Sequence, residues 1–205
     1  MLASITELFL KINWLEFLGT LAGILGVWFS IKEKLITWPT FIVSYSAYIY
    51  VSLSAGLFAH MSLNILFIFI SIYGWRLWLK NKTNHSDTAP QTVVHKASKK
   101  TWILNVLFWL IGSFLIGKYL SKNPNAFMPY LDGFACAASI SAQWMLSRKC
   151  IGTWLCWLIA DSVFLFLYAY QGYVLTVILF ASFMILAVSG WKQWHDLLKS
   201  KQDNV

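Results

Sequence analysis

The chain has 205 residues, of which 59% are hydrophobic and only 12% charged, with a formal net charge of +8. A soluble domain carries about twice that share of charged residues. The apolar runs at 14–31, 62–79, 102–117 and 172–190 also lack the polar face that a surface helix keeps, which excludes an ordinary soluble fold. The positive balance does not indicate nucleic acid, because the cations cluster at the ends of apolar segments, where they set membrane topology and meet anionic headgroups.

Along the chain, the first predicted span covers 14–31. Met1–Phe9 before it has neither a basic n-region nor a small-residue cleavage site, so this span is expected to be retained. Its Gly19, Gly23 and Gly26 form a small-residue seam, which predicts a helix-packing face. Further spans are predicted at 38–57, 61–79, 102–118, 130–147, 152–169 and 173–191. Asn81–Lys100 is polar, contains Pro90, and reads as a flexible linker without a functional role. Cys136, Cys150 and Cys156 show no pairing signal and read as packing residues. Placing Lys32, Lys34, the segment Arg76–Lys100, Arg148, Lys149 and the tail after Lys192 on one side collects 13 of the 16 Lys and Arg residues. The positive-inside rule then puts the N-terminus outside and the C-terminus in the cytoplasm.

Shifting the chain against itself by 116 residues aligns Trp28 with Trp144, Thr37-Trp38 with Thr153-Trp154, and Gly56 with Gly172. The same shift aligns Gly74-Trp75-Arg76-x-Trp78 with Gly190-Trp191-Lys192-x-Trp194, and keeps charge at Glu16/Asp132 and Lys32/Arg148. The expected organisation is a three-helix repeat over 14–79, a cytoplasmic linker over 80–101, a linker transmembrane helix over 102–118 and a second three-helix repeat over 130–195. A single span between the triplets gives both the same orientation. The expected fold class is thus an all-α integral membrane protein, with seven transmembrane helices in a 3+1+3 parallel repeat of the SWEET type. Such a repeat implies two halves rocking about a midplane site.

An ionisable side chain in the hydrocarbon costs about 2.5–3.5 kcal/mol, so Asp161 demands a reason. It lies twelve residues beyond Lys149, roughly 18 Å in at about 1.5 Å per residue. Trp154, Trp157, Asp161 and Tyr168 share one helical stripe, a cage suited to a flat, cationic, hydroxylated ligand. Trp154 and its repeat mate Trp38 also fit an interfacial belt, and Asp161 also fits a structural pairing with a hydroxyl or amide. Asp132, Cys136, Ser139 and Gln143 form a second polar stripe, in which Asp132 lies near the outer surface and the deeper Gln143 amide can both donate and accept. Phe41 and Tyr45 are the repeat mates of Trp157 and Asp161, so acid comes from one half and aromatic surface from both. Asn64 is a further candidate, with a helix-bridging amide as its alternative.

These segments together resemble the PnuC family of vitamer transporters, from about Trp14 to Trp194. The carrying motifs are Glu16-Phe-Leu-Gly19, Trp38-Pro39, Tyr73-Gly74-Trp75-x-x-Trp78, Ala142-Gln143, Arg148-Lys149, Trp154-x-x-Trp157-x-x-x-Asp161, Tyr168-x-x-x-Gly172 and Gly190-Trp191-x-x-Trp194. The resemblance implies an inner-membrane carrier for nicotinamide riboside or a related vitamer, working by facilitated diffusion and followed by trapping through a cytoplasmic kinase. It places ligand contacts on Gln143, Trp154, Trp157 and Asp161. One departure is Asp161, where nicotinamide riboside members carry Asn. A carboxylate favours a cation, which suits nicotinamide riboside and thiamine alike and counts against neutral riboflavin. A homo-oligomer is compatible with the sequence.

No Gly-rich phosphate loop with Lys-Ser/Thr is present, His60, His85, His95 and His195 lack metal-ligand spacing, and no Ser/His/Asp constellation falls within the spans. Neither a metal, a resident cofactor nor an enzyme is expected. An intramembrane enzyme using Asp161 would lack a second carboxylate at depth, and a non-transporting scaffold would leave the polar stripes unexplained.

Overall fold

The computed structural model describes residues 14–54, 58–83, 94–124 and 126–202. Seven helices follow in order among them: α1 (Trp14–Ile31), α2 (Thr37–Ser54), α3 (Phe58–Thr83), α4 (Lys99–Leu120), α5 (Pro129–Ser147), α6 (Gly152–Tyr170) and α7 (Val174–Gln202). Each matches a predicted span. α3 and α7 run past the expected ends at 79 and 191, because hydropathy marks where lipid ends rather than where a helix does. Residues 55–57 of the second predicted span lie outside the described residues.

Five helices (α1, α3, α4, α6 and α7) are long and apolar enough to cross a membrane. α2 and α5 have the length but carry more hydroxyl and amide groups, and many of these are turned inward: Ser44, Ser52, Ser139, Ser141 and Gln143 are all buried. Hydrogen bonds offset the cost of burying these hydroxyls: Ser139 bonds back to the Ala135 oxygen at 2.9 Å, and Ser52 meets His60 Nδ1 at 2.7 Å. α5 is the most enclosed helix, packed against α3, α4 and α6.

The packing repeats with the sequence. α1, α2 and α3 pack in chain order, as do α5, α6 and α7. The halves then meet twice in the same way, the third helix of each against the first helix of the other: α3 on α5 and α7 on α1. Trp78 Nε1 donates to the Ser147 carbonyl at 3.0 Å, and its repeat mate Trp194 donates to the Ile31 carbonyl at 3.1 Å. Each bond closes the C-terminal end of the opposite half's first helix, where carbonyls lack intrahelical partners. Trp38 meets Trp78 edge-on at 5.1 Å, and Trp154 meets Trp194 edge-on at 5.3 Å. The Gly-Trp-basic-x-Trp signature has a steric cause here: a Cβ on Gly74 would collide with the Trp38 ring, and one on Gly190 with Trp154.

The expected packing role of the first-span glycines holds. Gly19 and Gly23 lie against Ser44 and Ala47 of α2, Gly26 lies under the Phe41 ring, and the Ser44 hydroxyl donates to the Gly19 carbonyl at 2.7 Å.

α1 and α5 end in the same turn. Lys34 N–H bonds the Phe29 carbonyl while Cys150 N–H bonds that of Met145, the six-to-one closure of a helix C-terminus. The residue inside each turn adopts the left-handed region, Glu33 at φ 52° and Lys149 at φ 56°. These two repeat mates form an ion pair, Lys149 Nζ to Glu33 Oε2, at 2.7 Å. The cations beside them are also duplicated: Lys32 lies 3.8 Å over the Trp28 ring, and Arg148 lies 4.6 Å over Trp144.

Asymmetry enters with the segment leading to α4. Residues 84–93 of the expected linker lie outside the described residues, but Val94 is buried in the core beside Ile31, Leu146 and Ile151. His95 pairs with the second turn, its N–H on the Lys149 carbonyl and its own carbonyl accepting from Ile151 N–H at 2.9 Å. The end of the linker is therefore docked rather than loose. α4 starts at Ser98, whose hydroxyl caps Thr101 N–H, and packs on α5, where Trp109 Nε1 reaches the Ser141 hydroxyl at 2.9 Å.

Candidate functional site

α6 is anchored at its start by the Thr153 hydroxyl, which donates to the Ala142 carbonyl of α5 at 2.8 Å. From there the predicted stripe unfolds with different fates. Trp154 is 1% exposed and locked between Gly190 and Trp194, as its twin Trp38 is between Gly74 and Trp78. Its place in the frame accounts for its presence, so a belt at the lipid surface does not. The buried indole Nε1 of each of these twins nevertheless has no hydrogen-bond partner among the described residues.

Trp157, one turn on, is half-buried and meets Phe67 of α3 edge-on at 6.4 Å. Phe67 tilts against Tyr45 at 5.1 Å, and Tyr45 stacks on Phe41 at 5.7 Å. Four rings from α2, α3 and α6 thus form one continuous aromatic wall across the two halves. Three were expected from the sequence. Phe67 was not, because a Phe in an apolar span carries no signal of its own; its match with Phe183 under the 116-residue shift was the available clue.

Asp161 follows one turn beyond Trp157 on the same face of α6 and is 4% exposed. No hydrogen bond or ion pair reaches it among the described residues, so the expected structural pairing with a hydroxyl or amide is not what holds it. Its repeat mate is Tyr45 of the aromatic wall.

Gln143 of α5 is fully buried. Its Nε2 donates to the Ser71 hydroxyl of α3 at 3.2 Å, and its Oε1 has no partner among the described residues. Ser71 lies one turn from Phe67 on α3, so one helical face carries both the ring that touches Trp157 and the hydroxyl that holds Gln143. Ser71 too escaped the sequence reading.

The remaining candidates lie apart. Asn64 is buried on the same face of α3, but its amide donates to the His60 carbonyl at 2.8 Å, next to a Ser52–His60 contact at 2.7 Å. That local network accounts for it. Tyr168 stacks on Phe180 at 5.5 Å, within an aromatic group near the far end of α6. Asp132 is half-buried and accepts from the Cys136 thiol at 3.8 Å. A shallow groove along α7, lined by Ser189, Lys192, Gln193, Asp196, Leu197 and Ser200, shares no residue with the stripe.

Gathered inside a duplicated seven-helix bundle are thus a largely buried aromatic wall, a buried unpaired carboxylate and a buried, half-satisfied carboxamide. Such a set is a candidate small-molecule site between two membrane halves, and the protein class it fits is a membrane transporter. The chain belongs to the nicotinamide mononucleotide transporter family, whose match covers residues 13–196. It is 25% identical over 195 residues to the nicotinamide riboside transporter PnuC of Neisseria mucosa, covering 91% of this chain and 74% of that one. Its likeness to the PnuC of Escherichia coli is 21% over 205 residues, covering 89% and 85%. The riboflavin/roseoflavin transporter RibM of Streptomyces davaonensis is 20% identical over 194 residues, covering 94% and 89%. The fold is that of the crystal structure of the vitamin B3 transporter PnuC, with a TM-score of 0.73 and 23% identity over 96% of this chain and 87% of the other.

Proposed function

We propose that this chain carries nicotinamide riboside across the bacterial cytoplasmic membrane by facilitated diffusion, its two halves rocking in alternating access. The carrying observation is Asp161, a buried carboxylate without an ion-pair partner among the described residues, one turn from the Trp157 indole. Nicotinamide riboside brings a planar ring with a permanent positive charge. Asp161 supplies the counter-charge, the indole face attracts the cation, and Gln143 meets the carboxamide or a ribose hydroxyl. The names of the Neisseria and Escherichia relatives support that substrate.

Thiamine is the second reading, favoured by the same carboxylate because its thiazolium is also cationic. Riboflavin is neutral and leaves Asp161 unused. The cluster of cations around the Glu33 and Lys149 turns supports a cytoplasmic position for that end, with the N-terminus outside. A cytoplasmic kinase would phosphorylate the arriving riboside and trap it, which gives a uniporter net direction.

Uptake into proteoliposomes, together with tryptophan-fluorescence titration against nicotinamide riboside, thiamine and riboflavin, tests the assignment. Saturable riboside uptake without an imposed ion gradient is expected. Tight thiamine binding with no response to the riboside would overturn the substrate.

A further inference from the structure

Three positions of the aromatic wall are duplicated. Phe41, Tyr45 and Phe67 have Trp157, Asp161 and Phe183 as their repeat mates, so the row that holds three rings in the first half holds two rings and a carboxylate in the second.

Two observations put Phe183 level with Asp161. Tyr45 of α2 meets Phe67 of α3 with 5.1 Å between ring centres, and Asp161 and Phe183 are the same pair on α6 and α7. Independently, Phe164 of α6 stacks on Phe180 of α7 at 5.1 Å, and Asp161 and Phe183 each lie one turn from that stack, toward the same end of these antiparallel helices. The Ser162 hydroxyl, 3.9 Å from Met184 Sδ, keeps that register. On its other side Phe183 reaches α1, its ring 4.0 Å from the Cβ position of Gly23 and one turn from Gly26, over which Phe41 lies. The second row is therefore short of one ring. Tyr45 stacks on Phe41 and tilts against Phe67, whereas the equivalent place between Trp157 and Phe183 is held by an aspartate, whose side chain ends about where a tyrosine ring begins.

We infer that the ligand's ring takes this place, stacking on Trp157 as Tyr45 stacks on Phe41, and that Phe183 contacts its other side as Phe67 contacts Tyr45. This role rests on the nicotinamide riboside reading of the site. It narrows the substrate class to a flat aromatic cation, because two neighbours of the place are π faces and the third is a carboxylate. A quaternary ammonium without a ring would answer Asp161 and leave the row short. A neutral ring would complete the row and leave a buried charge alone. Trp157 touches Phe67 of α3, and Phe183 stands on α1, so a ring held between them bears on both seams where the halves meet.

The experiment measures Kd for nicotinamide riboside and thermal unfolding in purified wild type and four variants. Phe183→Leu keeps an apolar side chain and removes the π face, and riboside affinity should fall about three- to ten-fold. Phe183→Tyr keeps the ring and should bind within about two-fold of wild type. Phe180→Leu removes a ring one turn away on the same helix and should leave Kd unchanged. Asp161→Tyr writes the first half's residue into the second, and should fold, unfold no earlier than Asp161→Ala, and bind no riboside. Phe183→Leu with wild-type affinity, or Phe180→Leu with the same loss as Phe183→Leu, overturns the contact with Phe183. Asp161→Tyr that fails to fold, or unfolds well below Asp161→Ala, means that no ring fits beside Trp157 and overturns the place assigned to the ligand. Wild type that binds no riboside overturns the substrate assignment instead, and with it this role.

Discussion

Trp157 of α6 and Phe67 of α3 meet edge to face with 6.4 Å between ring centres, joining the two halves one turn from Asp161. A rocking motion of the halves must alter this contact, because its rings belong to opposite triplets. On the proposed reading, the ligand's charge would sit beside this ring junction, so binding at one would act directly on the other.

Replacing Asp161 tests the charge. Truncating one partner of a buried charge pair costs about 2–5 kcal/mol, so Asp161→Ala is expected to weaken riboside binding by about 30-fold or more and to abolish uptake. Asp161→Asn keeps the shape but removes the same charge, so it should weaken riboside binding by about ten-fold or more. Fluorescence titration reads both, and an Ala variant that binds and transports normally would remove Asp161 from the site.

The Lys149–Glu33 pair holds together the two turns that end α1 and α5, with side chains only 7% and 15% exposed. Cys150 beside it provides a native reporter, being 4% exposed with its thiol held above the ordinary range by burial. Such a raised value keeps the thiolate scarce at neutral pH and rising only under more alkaline conditions. Glu33→Gln should loosen the turns, lower stability by about 2 kcal/mol and bring the thiol back toward its ordinary value. Maleimide labelling of Cys150 at pH 7 should then run several-fold faster than in wild type, and unchanged kinetics would mean the pair does not hold this end shut.

Trp78→Phe and Trp194→Phe each keep a ring and delete one indole donor to a helix-end carbonyl. Each should cost about 1 kcal/mol, by thermal unfolding in detergent. The bonds share no partner, so the double variant should show near-additive loss. A large difference between the single variants would contradict the two-fold equivalence of these contacts.

Gly190→Ala would push a methyl into the Trp154 ring, whose nearest atoms lie 2.6 Å from the ideal Cβ position. Overpacking of this kind costs about 1–3 kcal/mol, and the displaced ring should lower stability by that amount in thermal unfolding. Gly172→Ala meets nothing within 4 Å, yet strains a backbone at φ 80° and should cost about 1 kcal/mol or slightly more.

How much of this was legible in the sequence depends on the kind of signal. Tryptophan and glycine are constrained by shape, so their recurrence at one offset exposed the frame before any coordinate did. Phe41, Tyr45, Trp157 and Asp161 were legible because helical spacing and repeat mismatch both marked them. Phe67 and Ser71 were not: one is an ordinary apolar residue and the other an ordinary small one, and each acquires meaning only from what α6 and α5 bring against it. Docking of Val94 was hidden by the polar composition around it, since one buried valine is enough to seat a strand-like segment. The Glu33–Lys149 pair required knowing that the halves meet around a common axis.

That axis has a consequence for ancestry and for reconstruction. A residue on a two-fold axis faces its own copy, so an assembly of two identical triplets would set glutamate against glutamate, or lysine against lysine, at the junction of the turns. Opposite charges at that point exist only because the two copies have ceased to be identical. Two first halves or two second halves would repel where one of each attracts. The duplicated triplets have become a matched pair that cannot be exchanged for two of a kind.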